Sequence, residues 1–207
     1  MAVTRRLAQL AIGLWLFGIS LAMVIRSGLG NAPWDVLHQG LANHLPITIG
    51  QAVIMMSLVV LALWIPLREK PGIGTVLNAI VVGLSLDLTM DWLAEPSSLW
   101  ARVGLLVAGV ILNGLATGLY IGSRFGSGPR DGLMTGLHRR TAIPIGVVRG
   151  ALEVSVVVLG WLLGGVVGVG TIVFALAIGP LVQVFLPMCT VPLSSDGDRE
   201  NTGFRLG

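Results

Sequence analysis

Six stretches of roughly 20 mostly apolar residues, each long enough to cross the hydrocarbon of a bilayer, leave this 207-residue chain few possible folds. They run over 7–26, 49–66, 73–93, 103–122, 146–164 and 169–187. No water is present in lipid to pair backbone N–H and C=O groups, so each stretch is expected to be a helix and not a lone strand. Only 11% of the residues are charged and the mean hydropathy is +0.88, whereas soluble domains carry about a quarter charged residues. The expected fold is therefore an all-α polytopic membrane protein with one transmembrane domain over 1–188. A polar stretch over 189–207 follows, read as a disordered cytoplasmic tail.

The six spans are not independent. Shifting the sequence by 96 residues aligns 13–83 with 109–179 without a gap and matches 22 of those 71 positions, well above the roughly one-tenth expected by chance, which signals an internal duplication. Repeat one covers 5–95 and repeat two 101–188. The matches cluster in two places. In the first, Ser27, Gly30, Pro33, Asp35, Leu37, Gly40 and Leu41 meet Ser123, Gly126, Pro129, Asp131, Leu133, Gly136 and Leu137. In the second, Gly72, Gly74 and Thr75 meet Gly168, Gly170 and Thr171.

Three spans per repeat make the second copy start on the opposite side of the membrane, so the repeats are expected to be inverted. Charge placement points the same way. With both termini cytoplasmic, Arg5, Arg6, Arg68, Lys70, Arg124, Arg130, Arg139, Arg140, Arg149, Arg199 and Arg205 fall inside, and only Arg26 and Arg102 fall outside. That is a positive-inside pattern, and it accounts for the sequence pI of 10.0 without a nucleic-acid partner. The N-terminal segment lacks a small-x-small cleavage site and has a copy later in the chain, so it reads as a span and not as a signal peptide.

Between the first and second span of each repeat lies the pattern GxxPxDxLxxGL. Proline suits the first helical turn, and an aspartate two residues on complements the helix dipole, so a short helix is expected after Pro33 and after Pro129. Two placements fit. It is either an amphipathic helix at the interface or the returning limb of a re-entrant hairpin. A five-residue extended approach spans about 16 Å, and a 12-residue helix about 18 Å, each near half a bilayer.

Polar residues inside spans mark function by default, because a lone charge there costs ~3 kcal/mol or more. Asp87 in the third span needs a partner, and its repeat mate is Gln183; with Asn78 and Asn113 they form an expected polar seam, joined by Asp35 and Asp131 from the loop motifs. Arg149 and Glu153 are spaced to pair on one helix face, with Glu153 a further candidate for the path. The histidines His38, His44 and His138 are too dispersed for a metal set. The single Cys189 forms no intramolecular disulfide or thiolate metal site. No hydrolase, zinc-protease, Walker or dinucleotide-binding pattern occurs, so neither an enzyme nor a cofactor is expected.

The segments SGLGNAPWDVLHQGL, PGIGTVLNAIVVGLSLD, GSGPRDGLMTGLHRR and GVGTIVFALAIGPLVQ together resemble the YczE/YitT-like bacterial integral membrane proteins over about residues 5–188. The resemblance implies a small multi-pass protein of the bacterial cytoplasmic membrane and no particular chemistry. The residues themselves point to a small transporter or channel-like permease for a small solute or ion, with its path at the repeat interface. The partners expected are the bilayer and that solute, and the small size leaves room for a homodimer. The alternatives are a substrate-capture subunit of an energy-coupling-factor importer and a non-transporting scaffold or assembly protein.

Overall fold

The computed structural model describes residues 2–191. Eight helices follow in order among them: α1 (Ala2–Ser27), α2 (Pro33–His44), α3 (Ile49–Leu67), α4 (Ile73–Trp92), α5 (Leu99–Gly122), α6 (Pro129–Thr141), α7 (Ile145–Leu162) and α8 (Val169–Cys189). Six of them are long and apolar enough to cross a membrane, and α2 and α6 are the two short helices expected after the prolines. The fold is thus an all-α polytopic membrane fold. Residues 192–207 of the expected tail lie outside the described residues; Cys189 still ends α8, and the Val191 N–H donates to the Gly122 carbonyl at 3.2 Å.

The surface suits lipid. Large apolar side chains such as Leu84, Val154 and Leu176 stand exposed along the spans. Trp92, Trp100 and Trp161 are exposed at the end of α4, the start of α5 and the end of α7, ends that alternation of span direction puts on one side, as in an interfacial aromatic belt.

Most helix contacts come in pairs related by the shift of 96. Spans α1 and α5 cross each other at the centre, α1 also packs on α4, and α5 packs on α8. Each short helix packs on the other half, α2 against α7 and α6 against α3. The two crossings solve the same steric problem in opposite ways. At α3/α6 the indole of Trp64 lies on Gly132 and its Nε1–H donates to the Pro129 carbonyl at 2.9 Å. At α2/α7 the equivalent of Trp64 is Gly160, which takes the backbone of Val36 and Leu37 directly against it.

The two repeated motifs are mates. The Gly74 N–H donates to the Phe125 carbonyl at 2.9 Å, and the Gly170 N–H donates to the Leu29 carbonyl at 2.8 Å, so the Gly-x-Gly-Thr of each half is tied to the loop motif of the other. Thr75 and Thr171 accept from the Gly72 and Gly168 N–H groups at 3.2 Å each, closing the first turns of α4 and α8. The joint needs glycine in the loops. Gly30 and Gly126 adopt φ of +117° and +128°, a region that L side chains rarely enter. A Cβ on Gly30 would lie 2.6 Å from the Gly168 nitrogen.

The most extensive pairing without a counterpart is that of α3 with α4. Spans α3 and α4 pack closely, but α7 and α8 share no comparable interface. Gly50 and Gly83 bring α3 and α4 into backbone contact, whereas their equivalents Gly146 and Gly179 have no atom within 4 Å of where a Cβ would stand.

Candidate functional site

A cavity of ≈ 340 Å³ opens where the halves meet. Its walls contain both members of several positions related by the shift: Phe17 and Asn113, Leu21 and Thr117, Pro33 and Pro129, Trp34 and Arg130, and Asn78 and Phe174. The starts of α2 and α6 therefore share one cavity with residues from the middle of α1, α5 and α8. Within most of these pairs one member is apolar and the other polar, so the cavity has a wet wall and a greasy wall.

The wet wall is built from short contacts. Asn113, buried in α5, donates through Nδ2 to the Ser20 hydroxyl at 2.8 Å. One turn on, the Thr117 hydroxyl donates to the Asn113 backbone carbonyl at 2.8 Å. The Tyr120 hydroxyl donates to Asp131 Oδ2 at 2.8 Å. From α7, Arg149 Nε donates to Glu153 Oε1 at 2.8 Å, the pair expected from their spacing. The Arg130 guanidinium lies over the Trp34 ring at 5.2 Å from its centroid, a cation–π contact joining the two short helices. Arg130, Asn78 and Gln183 make no side-chain hydrogen bond among the described residues.

Of the seven residues expected along the path, Asp131, Gln183, Asn78, Asn113 and Glu153 line this cavity. Asp35 and Asp87 do not. Asp35 is fully buried in the first turn of α2, with Oδ1 2.9 Å from His38 Nδ1 and Oδ2 unpartnered. Asp87 does not face the other half, as its pairing with Gln183 suggested. Its carboxylate accepts from the Thr48 hydroxyl and from the Gly50 N–H at 2.8 Å, both in its own repeat. The physical reason is the N-terminus of α3, whose free N–H groups and positive dipole end provide the partner that a half-buried carboxylate within a span needs. In the second half Pro144 stands where Thr48 would, and Gln183 is left facing the cavity.

Arg130 and Arg149, counted among the cytoplasmic charges, line the cavity. Sequence reasoning also passed over Trp34, Thr117 and Tyr120. Tyr120 is the only tyrosine in the chain and lies within a span, and Trp34 and Arg130 hold the same place in the two repeats, so both signals were present. The structural motif residues Gly72, Gly74, Thr75, Gly168, Gly170 and Thr171 are joints behind the cavity, not part of its lining.

A family model described as a family of unknown function (DUF6198) matches residues 4–187. The chain is 44% identical over 182 residues to an uncharacterized protein of Haemophilus influenzae, covering 88% of this chain and 84% of that one. It is 33% identical over 172 residues to the uncharacterized membrane protein YczE of Bacillus subtilis, covering 83% and 80%. It is 28% identical over 184 residues to the uncharacterized protein YyaS of the same organism, covering 86% and 90%. No solved structure matches.

Proposed function

The chain belongs to the family of unknown function DUF6198, a YczE-like family of bacterial membrane proteins, and we propose that it is a small permease of the cell membrane with both termini in the cytoplasm. Its two halves are read as inverted repeats, with α2 and α6 as re-entrant limbs and the solute path between them. The observation that carries this is the cavity itself. A chamber lined by matched positions from both halves, mostly apolar but carrying the charged side chains of Arg130, Asp131, Arg149 and Glu153, is costly in a bilayer and typical of a substrate site between repeats.

The unequal seams support a cycle. The α3/α4 seam is closed by Gly50, Gly83 and Asp87, and the α7/α8 seam is open at Gly146 and Gly179. In the inverted reading these seams flank the path near opposite faces. Exchange of the two arrangements, with α7 closing on α8 as α3 leaves α4, carries the cavity from one side to the other by rigid-body movement of packed helices.

The test is release from proteoliposomes loaded with a mixture of small metabolites, read by mass spectrometry against vesicles carrying Asp131→Asn. Selective loss of one solute class from the parent vesicles is expected. Equal retention of every solute by both overturns the permease. Co-purification with an ATPase module would instead assign the chain to solute capture for an importer.

A further inference from the structure

We propose that the cavity receives a small zwitterion, its carboxylate on Arg130 and its ammonium group on Asp131. This rests on the permease reading and names the substrate class of the same site. Four charged side chains line the cavity: Arg130, Asp131, Arg149 and Glu153. Arg149 and Glu153 neutralise each other at 2.8 Å. Asp131 is met only by the neutral Tyr120 hydroxyl, and no cation lies within ion-pair distance of it among the described residues. Arg130 rests on the Trp34 ring, and none of its five N–H donors has an acceptor there. The chamber thus contains one positive and one negative charge without an ionic partner, Asp131 being met only by the Tyr120 hydroxyl and the N-terminal dipole of its own helix.

They cannot satisfy each other. Arg130 and Asp131 are consecutive residues in the first turn of α6, and neighbours at i and i+1 on a helix do not face one another. The helix holds the two charges apart and presents both to the same space. Charges without an ionic partner in a partly enclosed, largely apolar cavity are costly, and a dipolar solute removes both costs together. A monoanion leaves Asp131 unmatched, and a monocation leaves Arg130 unmatched. The adjoining Phe17, Leu21 and Phe174 form an apolar wall for the solute's aliphatic part, and the free amides of Asn78 and Gln183 supply neutral polar contacts. At ≈ 340 Å³ the chamber sits at the small end of ligand pockets, suited to a metabolite-sized solute.

The experiment uses solutes of equal chain length and different charge: valerate, pentylamine, and the zwitterions 5-aminovalerate and norvaline, which differ in charge separation. Binding to the purified full chain is read by thermal stabilisation and calorimetry. At least one zwitterion is expected to bind ten-fold or more tightly than either singly charged compound. Arg130→Gln should shift the preference to pentylamine, and Asp131→Asn should shift it to valerate, an inversion that a merely structural role would not produce. Unliganded melting of each variant checks that it folds. The proposal is overturned if valerate or pentylamine binds the parent as well as both zwitterions, if nothing binds, or if the two variants weaken all four compounds alike. None of these results bears on release from proteoliposomes, so the permease reading stands or falls separately.

Discussion

Filling the open seam should stop turnover without harming the fold, whereas filling the closed one should harm the fold itself. At Gly83 a Cβ would lie 2.6 Å from Ile54 Cγ1 and in collision with the Gly50 carbonyl. Gly83→Ala therefore forces α3 and α4 apart at an overpacking cost of about 1–3 kcal/mol. It also strains the Gly50 N–H to Asp87 bond at 2.8 Å, a hydrogen bond to a charged group worth about 1.5–3 kcal/mol. At Gly179 nothing lies within 4 Å, so Gly179→Ala meets no atom and gains up to about 1 kcal/mol of helix propensity. Gly146→Leu, on the α7 side of the seam and outside the cavity lining, adds a side chain in open space and should fold as well as the parent. If α7 must close on α8 through Gly146 and Gly179, as α3 closes on α4 through Gly50 and Gly83, that leucine props the seam open and solute release falls at least ten-fold. The assays are unfolding in mixed micelles for stability and release from proteoliposomes for turnover. Gly146→Leu releasing solute at the parent rate, or Gly83→Ala as stable as Gly179→Ala, would refute the reasoning.

The α3/α6 crossing should depend on the match between a large and a small residue. Trp64→Ala removes a side chain 3% exposed and its hydrogen bond to the Pro129 carbonyl, at an expected cost of about 3–5 kcal/mol in the same micelle unfolding. Trp64→Gly combined with Gly132→Val copies the solution used at Gly160 and Val36, and should recover at least ~1 kcal/mol relative to the sum of the single changes in a double-mutant cycle. Thr75→Val deletes the hydroxyl that caps Gly72 and donates to the Ser127 carbonyl at 2.6 Å; about 1 kcal/mol of stability should go with it. Asp87→Asn should lower the melting temperature, because it weakens the cap on α3, yet leave 5-aminovalerate binding unchanged, since Asp87 lies outside the cavity.

Spans and short helices were legible because they follow from local rules. Apolar run length sets a span, and a proline at the first turn sets the start of α2 and α6; the loop glycines with positive φ, Gly30 and Gly126, announced themselves by recurring. The duplication also marked the Gly-x-Gly-Thr segments, although not their role, because a hydrogen bond from Gly74 to Phe125 or from Gly170 to Leu29 joins residues with no local relation in sequence. Asp87 shows where local reasoning ends. A carboxylate in a span demands a partner, but whether that partner is a solute, water or a helix N-terminus is decided by packing. Thr48-Ile49-Gly50-Gln51 did carry a cue, a capping box in which Gln51 Oε1 accepts from the Thr48 N–H at 3.0 Å, so it marks a helix start with donors to offer. Nothing in the sequence places that start beside Asp87.

The same duplication accounts for how the cavity is lined. A two-fold arrangement of identical halves would set like residues opposite each other, two apolar or two polar, and a chamber of like charges would repel itself. Divergence removes that conflict one pair at a time. Phe17 is apolar where Asn113 is polar, Leu21 where Thr117 is, Phe174 where Asn78 is, and Trp34 offers a ring to the guanidinium of Arg130. The scaffold contacts that recur in both halves, such as Gly74 to Phe125 and Gly170 to Leu29, gain from symmetry because one geometry serves twice. The lining gains from its loss, because a solute with unlike ends needs unlike walls. An engineered chain that makes the lining more symmetric, with Arg130→Trp and, at the half-buried Thr117, Thr117→Leu, should therefore keep the fold, shown by unchanged helicity and a cooperative melt, and lose solute binding. Retained binding in that variant would remove the wet wall from the account of the site.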